Sequence, residues 1–230
     1  MAEEEPVFET TTGPPRIITA ASLFDGHDAA INVMRRLIQS AGAEVIHLGH
    51  DQSAKAVVDC AIQEDAHGVA LTSYQGGHVE YFTYIRQLLD EAGCEHIRIF
   101  GGGGGTITPP EIKTLHESGI SKIYSPDDGR TMGLMGMIHH LMGIASEVDL
   151  IHPDRVASLS EPVTADDTAK VGLLLTMSES ADDATFKATL DKCRSSEKEV
   201  PVIGFTGTGG AGKSSLLDEL MLRILRDNPG

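Results

Sequence analysis

The sequence has few aromatic residues, no tryptophan and few cysteines, and each scarcity excludes a class of protein. Aromatic residues make up 4% of the 230 residues, too few for the stacking platforms that bind single-stranded nucleic acid. The three cysteines are odd in number and far apart, which favours reduced thiols in a cytoplasmic protein over a disulfide framework. No apolar run approaches the roughly 20 residues that span a bilayer. The acidic start MAEEEPVFET lacks the basic segment followed by an apolar segment that is typical of a signal peptide.

Positive charge is also scarce. The chain has 18 Lys and Arg against 34 Asp and Glu, a net charge of −16, and a chain this acidic repels phosphate backbones. We therefore expect neither nucleic acid nor a membrane as a partner. Hydrophobic residues make up 40% of the chain, which is enough to bury a core in the roughly one to two domains that this length allows.

Short apolar runs alternate with helical patterns from residue 16 to about residue 144. The predicted strands are 17–21, 44–48, 68–71, 96–100 and 121–124, and the predicted helices are 28–41, 53–64, 78–92, 109–118 and 128–144. Five such units predict an α/β fold, a flavodoxin-like doubly wound parallel five-stranded sheet, with 2-1-3-4-5 as the default strand order.

The alternation of predicted strands and helices ends after this domain, so the chain is predicted to have four segments. They are a disordered N-terminus (1–15), the α/β domain (16–147), a helical linker with helices at about 166–177 and 181–195 (148–199), and the start of a second domain (200–230).

The loops after the strands hold the candidate site, because ligands of doubly wound sheets bind beyond the carboxyl ends of the strands. Asp25 lies two residues before His27, and a carboxylate that accepts one ring N–H of a metal-binding histidine fixes the tautomer of the ring. Five consecutive glycines, Gly101 to Gly105, leave a wall without side chains for a large flat ligand. Thr72 and Ser73 place hydroxyls beside that wall.

Three of these stretches resemble the cobalamin-binding domains of coenzyme-B12-dependent mutases. DGHDAA (25–30) resembles their D-x-H-x-x-G motif, TSY (72–74) before Gly77-His78 resembles their S-x-L segment, and GGGGG (101–105) resembles their G-G pair. The motifs come in the expected order, and the resemblance covers about residues 16–145. The motif's last glycine, its serine and its leucine are replaced here by Ala30, Thr72 and Tyr74.

The resemblance implies a role for each matching residue. His27 would be the lower axial ligand of cobalt, in place of the cofactor's own dimethylbenzimidazole, and Asp25 would be its hydrogen-bonding partner. Thr72 and Ser73 would contact the nucleotide tail, and Gly104 and Gly105 would flank it. The implied cobalamin-binding residues are Asp25, His27, Asp28, Ala30, Thr72, Ser73, Tyr74, Gly77, His78, Gly101, Gly102, Gly104, Gly105 and Ser125.

The remaining histidines and methionines receive weaker assignments. His50 and His78 face the predicted site and stay open as cofactor contacts. Packed positions are predicted for His47 and His67, surface positions for His96, His116, His139, His140 and His152, and core positions for Met132, Met135, Met137 and Met142.

A second motif, GTGGAGKS (207–214), fits the phosphate-binding pattern G-x-x-x-x-G-K-[ST]. A strand is predicted before it at 200–205 and a helix after it at 214–226. Backbone N–H groups of the loop would wrap phosphates, Lys213 would reach the β- and γ-phosphates, and Ser214 would ligate Mg²⁺. The predicted nucleotide-binding residues are Gly207, Gly209, Gly210, Ala211, Gly212, Lys213, Ser214 and Ser215. One strand and one helix are too little for a domain, so we expect a truncated one.

The order of cobalamin domain, linker and P-loop resembles the fused acyl-CoA mutases. This resemblance implies adenosylcobalamin as the cofactor, GTP with Mg²⁺ in a GTPase chaperone domain, and an acyl-CoA substrate held by a barrel in the full-length protein. The implied reaction is the conversion of isobutyryl-CoA to n-butyryl-CoA. We expect the 230 residues to bind cobalamin without turning over substrate, and a homodimer is left open.

Two other classes remain as alternatives. A corrinoid carrier or cobalamin sensor shares the D-x-H motif but usually has a helical cap domain before it, whereas about fifteen polar residues precede the first strand here. A P-loop protein with a receiver-like domain needs an aspartate after the third strand, where this chain has Thr72 and Ser73.

Overall fold

The computed structural model describes residues 6–194 and 202–227. The chain divides into two compact units, 1–195 and 196–230, and each is described by itself.

The first unit contains a five-stranded parallel sheet of order β2-β1-β3-β4-β5, which confirms the predicted fold class and strand order. The strands are β1 (Arg16–Ser22), β2 (Glu44–Gln52), β3 (Gly68–Thr72), β4 (Arg98–Gly102) and β5 (Lys122–Tyr124). The helices that follow them are α1 (Asp28–Ser40), α2 (Ala54–Gln63), α3 (His78–Glu91), α4 (Pro109–Glu117) and α5 (Pro126–Ser146).

Helices cover both faces of the sheet. Successive strand residues point to opposite faces, so Ile18 packs with α2 and α3 while its neighbour Ile17 packs with α1 and α5. Both isoleucines are fully buried. Burial on both faces explains why these strands read as continuous apolar runs rather than as alternating ones.

Local capping sets where the helices begin. The Ser53 hydroxyl accepts a hydrogen bond from the amide of Ala56 at the start of α2, as predicted. Helix α5 begins at Pro126, two residues before the predicted start, because Ser125 and Asp128 form a capping box around its first turn. Gly133, with a φ of +67°, interrupts this helix.

The segment predicted as a linker is packed on the first domain. It forms α6 (Pro153–Ala157), α7 (Thr168–Ser180) and α8 (Asp183–Cys193), which share a small apolar cluster. Helix α7 approaches the end of α2 so closely that a Cβ at Gly172 would lie 3.0 Å from the carbonyl oxygen of Ile62. The short helix α6 has no counterpart in the prediction.

A buried carboxylate fastens this segment to the sheet. Asp65, at the turn between α2 and β3, is 3% exposed. It accepts hydrogen bonds from the Arg155 guanidinium at 2.7 Å and from the Thr176 hydroxyl at 2.8 Å. Burial alone would raise the pKa of Asp65, but the hydrogen bonds and the Arg155 charge outweigh it and lower the pKa to about 2. His96, predicted at the surface, is largely buried and lies 3.8 Å from this carboxylate.

Residues 1–15 are predicted to be disordered, whereas the part of this segment that the structure describes contacts the first domain. Phe8 packs against the cluster between α1 and α5. The Thr11 hydroxyl donates to the Asp149 carboxylate at 2.8 Å, and the hydroxyl of Thr10 lies 3.2 Å from Nε2 of the buried His67. Residues 1–5 lie outside the described chain.

The second unit contains helix α9 (Lys213–Asp227) and the segment before it. The strand predicted at 200–205 is not formed at residues 202–205, and residues 200 and 201 lie outside the described range. A β-strand is stabilised by pairing with a neighbouring strand, and residues 202–227 contain no strand with which residues 202–205 could pair. In both units, no helix within 6–194 and 202–227 is long and apolar enough to cross a membrane.

Candidate functional site

The loop between β1 and α1 holds Asp25 and His27 at the carboxyl edge of the sheet. One carboxylate oxygen of Asp25 accepts hydrogen bonds from the amide of His27 at 3.0 Å and from its ring Nδ1 at 2.8 Å. The other oxygen accepts a hydrogen bond from the amide of Tyr74 at 2.6 Å. The carboxylate therefore joins the loop after β1 to the loop after β3.

These contacts fix the charge of Asp25 and the tautomer of His27. Burial alone would raise the pKa of Asp25, but the hydrogen bonds from the Tyr74 and His27 amides and from the His27 ring outweigh it and lower the pKa. The ionised carboxylate keeps the proton on Nδ1, which leaves the lone pair on Nε2. The His27 side chain is 73% exposed, and its Nε2 has no partner within the described chain. An exposed imidazole nitrogen whose ring is oriented by a carboxylate is suited to ligate a metal.

A cavity of about 250 Å³ opens beside this pair, on the sheet face covered by α1 and α5. Among the predicted cobalamin-binding residues, those that line it are Thr72, Tyr74, Gly101, Gly102, Gly104 and Ser125. Tyr74 lines the cavity and His27 does not, and the ring centroids of these two residues are 5.4 Å apart.

Close packing requires glycine at two positions of the glycine run. A Cβ at Gly101 would lie 2.4 Å from the ring of Phe82, and one at Gly103 would lie 1.9 Å from the carbonyl oxygen of Ser73. Both distances are impossible for a real side chain. Gly104 has a φ of +57°, a conformation that favours glycine. A Cβ at Gly105 would meet nothing within 4 Å, and Gly105 does not line the cavity.

The two hydroxyls predicted beside the glycines have different roles. The Ser73 hydroxyl accepts a hydrogen bond from the Ser22 hydroxyl at 2.8 Å and so ties β1 to the end of β3. The Thr72 hydroxyl is buried and has no hydrogen-bond partner within the described residues, and Thr72 is one of the residues that line the cavity. Buried polar atoms without a partner are rare, and this one marks a place where a ligand can supply the bond.

Other predicted residues do not reach the cavity. Asp28 and Ala30 lie in the first turn of α1, beside His27 but outside the lining. Gly77 and His78 begin α3 on the opposite face of the sheet. The ring Nδ1 of His78 donates to the Gln75 carbonyl oxygen at 3.0 Å, and its Nε2 lies 3.3 Å from the Glu111 carboxylate. His50 is likewise absent from the lining.

Sequence reasoning missed the apolar wall of the cavity. Its side chains come from α1 and α5, and they are Ile31, Met34, Ile38, Met137, Ile138 and Leu141. Met137 was predicted as core. The helical spacing of these residues is the only signal, and that spacing looks the same whether a helix faces a cavity or a filled core.

The glycine-rich loop of the second unit leads into the first turn of α9. The Lys213 ammonium donates to the carbonyl oxygens of Gly207 at 2.9 Å and of Thr208 at 2.8 Å. Gly210 and Gly212 have φ values of +77° and +78°. The predicted residues Gly209 and Ala211 belong to the same loop, and Ser214 and Ser215 follow Lys213 in the helix. Free amides at the first turn of a helix suit an anion.

The chain is similar in sequence to known cobalamin-domain families and mutases. Residues 15–123 match the family model of the B12 binding domain. The chain is 50% identical over 221 residues to the fused isobutyryl-CoA mutase of Geobacillus kaustophilus, covering 93% of this chain and 20% of that protein. It is 34% identical over 115 residues to the 2-hydroxyisobutanoyl-CoA mutase small subunit of Aquincola tertiaricarbonis, covering 50% of this chain and 82% of that subunit.

Among solved structures, a cobalamin-binding protein from Desulfitobacterium hafniense DCB-2 matches with a TM-score of 0.47 and 18% identity, covering 56% of this chain and 58% of that one. The chain spans 20% of the length of the Geobacillus fused mutase, so it corresponds to one part of such a protein. It belongs to the B12-binding domain family, in the form that occurs as the cobalamin-binding portion of the fused isobutyryl-CoA mutases.

Proposed function

We propose that this chain is the cobalamin-binding part of an acyl-CoA mutase and that Nε2 of His27 is the lower ligand of cobalt. The observation that carries the proposal is the hydrogen bond from Nδ1 of His27 to the buried carboxylate of Asp25. That bond orients the ring, raises the basicity of Nε2 and leaves it exposed for a metal. Adenosylcobalamin held there would supply the radical chemistry of the mutase reaction.

The cavity beside His27 suits the nucleotide tail of the cofactor. Its apolar walls from α1 and α5 exclude water, and the glycine backbone at Gly102 and Gly104 lets a flat ring approach the sheet edge. The partnerless Thr72 hydroxyl offers one hydrogen bond inside this apolar space. A mostly apolar pocket with a few polar groups is typical of cofactor sites.

Isobutyryl-CoA is the proposed substrate of the full-length protein, with n-butyryl-CoA as the product. The support is the 50% and 49% identity to three fused isobutyryl-CoA mutases over at least 92% of this chain. The substrate-binding part lies outside these 230 residues in our proposal, so the chain alone binds cobalamin without mutase activity. Isomerisation of isobutyryl-CoA by the purified chain would contradict the proposal that the substrate-binding part lies outside these residues.

The second unit is proposed to bind GTP and Mg²⁺ as the start of a GTPase domain. Lys213 would exchange the carbonyl oxygens of Gly207 and Thr208 for phosphate oxygens, and Ser214 would ligate Mg²⁺. The test uses a full-length protein that carries this segment. Lys213→Ala should abolish GTP hydrolysis, whereas the control Lys187→Ala on α8 should leave it unchanged. Preference for ATP over GTP, or hydrolysis that survives Lys213→Ala, would overturn the assignment.

A titration of the 230-residue chain with adenosylcobalamin tests the cobalamin proposal. We expect wild-type protein to bind and to displace the cofactor's own base from cobalt, which changes the absorbance of the cofactor. His27→Ala should lose this absorbance change. The matched control is His152→Ala, which removes an exposed histidine at the start of α6. An equal loss in both variants, or in neither, would refute the role of His27.

A further inference from the structure

Phe24 adopts a backbone conformation that a phenylalanine rarely takes. The amide of Asp25 donates to the carbonyl oxygen of Ser22 at 3.0 Å, so residues 22–25 form a tight turn with Phe24 at its third position. The φ of Phe24 is +63°. Glycine or asparagine normally occupies a turn position with positive φ, and a bulky residue there is strained.

Packing of the Phe24 side chain does not offset this strain, because the side chain is 83% exposed. The conformation is instead enforced through the backbone. The Phe24 amide donates to the Asp51 carboxylate at 2.7 Å, and Asp51 itself has a φ of +57°. Pairing of Ser22 with Gln52 brings the ends of β1 and β2 side by side and so fixes this contact. Two neighbouring loops thus hold an aromatic ring in solvent.

The position of Phe24 suggests what the ring serves. It directly precedes Asp25 and lies three residues before His27, so its Cα is within roughly 11 Å of the Cα of His27. Strained residues cluster at binding sites, where function rather than folding retains them. A corrin ring held by His27 is far wider than one side chain and must rest on neighbouring parts of the same loop.

We infer that Phe24 is a binding residue for the corrin ring of cobalamin. This inference rests on the proposed function of His27. The phenyl group offers an apolar surface to the macrocycle. The favourable free energy of burying this group on binding offsets the free energy that the strained turn costs the protein. Asp51 is the positioning residue that holds the turn open through the Phe24 amide.

Two variants of the 230-residue chain separate binding from folding. Phe24→Gly and Phe24→Asn both suit a positive φ and both remove the aromatic ring. We expect Phe24→Gly to raise the melting temperature of the empty protein by roughly 2–4 °C, because it relieves strain. Equilibrium dialysis should show that both variants bind adenosylcobalamin about tenfold more weakly. The control Tyr84→Ala removes a half-exposed aromatic ring from α3 and should leave the affinity unchanged.

Unchanged affinity in both Phe24 variants would overturn the inference, as would an equal loss in Tyr84→Ala. A lower melting temperature in Phe24→Gly would overturn the strain argument, and full affinity without the ring would point to a protein partner for Phe24 instead. These outcomes are distinct from failure of the proposed function, which would appear as wild-type protein that binds no cobalamin or as His27→Ala that binds normally.

Discussion

The fully buried carboxylate of Asp25 holds the largely exposed ring of His27 through a hydrogen bond of 2.8 Å to Nδ1. The charge thus lies inside the protein and the free imidazole nitrogen outside it. The same carboxylate accepts the amide of Tyr74 at 2.6 Å, so the loop after β3 is fixed together with the loop after β1. A ligand that binds Nε2 of His27 meets a ring whose orientation is already determined by buried partners.

Removal of the Asp25 charge should weaken cobalamin binding. In Asp25→Asn the ring can still be hydrogen-bonded, but the ionised partner that raises the basicity of Nε2 is lost. We expect adenosylcobalamin affinity to fall about 10- to 100-fold in an absorbance titration. Asp59→Asn removes a partly exposed carboxylate that pairs with Lys55 on α2 and should bind as the wild type does. Equal affinity in Asp25→Asn and the wild type would show that the carboxylate does not tune the histidine.

Thr72→Val should separate ligand binding from stability. Valine keeps the shape of threonine and removes a buried hydroxyl that lacks a partner within the described residues, so the empty protein should be as stable or slightly more stable. Adenosylcobalamin affinity should fall about tenfold, the equivalent of one hydrogen bond.

The control for Thr72 is Thr19→Val in β1. The Thr19 hydroxyl is buried and already bonded to the ring of His47 at 2.9 Å. Its loss should lower the free energy of unfolding by about 1 kcal/mol and leave cobalamin affinity intact. If Thr72→Val instead destabilises the empty protein and binds normally, the hydroxyl has a structural partner rather than a ligand.

Two neighbouring glycines should respond differently to alanine. Gly103→Ala places a Cβ 1.9 Å from the carbonyl oxygen of Ser73, so the loops after β3 and β4 must separate. We expect a loss of at least about 2 kcal/mol in the free energy of unfolding, together with weaker cobalamin binding. Gly105→Ala meets nothing within 4 Å and should change stability by less than about 0.5 kcal/mol. Similar urea denaturation curves for the two variants would contradict this packing.

Stability should fall in acid because of His67. Burial, followed by the nearby Arg16 charge, lowers the pKa of His67 to about 4, and its Nδ1 accepts the amide of Arg16 at 2.9 Å. Between pH 6.5 and pH 4 His67 is protonated in the unfolded chain but not in the folded chain. The free energy of unfolding therefore decreases as the pH falls through this window, by about 3 kcal/mol in total.

Urea unfolding of wild type and His67→Gln at pH 7 and pH 4.5 measures the contribution of His67 to the loss of stability in acid. The variant should be less stable at pH 7 but should lose less stability on acidification, while the exposed-residue control His152→Gln should behave as the wild type does. Parallel losses in wild type and His67→Gln would exclude His67 as the source. Asp65, with a pKa of about 2, adds a separate loss below about pH 4 as it is protonated.

The sheet and the contact between Asp25 and His27 could be predicted because local sequence determines them. Short apolar runs such as 68–71 are typical of strands buried on both faces, and the spacing of Asp25 and His27 brings carboxylate and ring together within one loop. The glycine run also marked the site edge, but the sequence could not distinguish Gly101 and Gly103, which packing requires, from Gly105, which it does not.

The remaining features depend on contacts between distant residues. Phe8 packs against the cluster between α1 and α5, and the polar residues around it in the sequence do not indicate this contact. The docking of α6 and α7 depends on Asp65 meeting Arg155 and Thr176, which are 90 and 111 residues away along the chain. The strand expected at 200–205 needs a neighbouring strand that residues 202–227 do not provide.

Electron paramagnetic resonance of the chain loaded with cob(II)alamin tests most directly whether His27 binds cobalt. Protein grown with ¹⁵N-labelled histidine would be compared with unlabelled protein and with His27→Ala. If Nε2 of His27 is the lower ligand, the superhyperfine splitting should change from the triplet of ¹⁴N to the doublet of ¹⁵N on labelling, and the labelled pattern should be absent from His27→Ala. A triplet that persists in the labelled protein would mean that the cofactor's own base still binds cobalt, and it would contradict the assignment of His27 as the ligand.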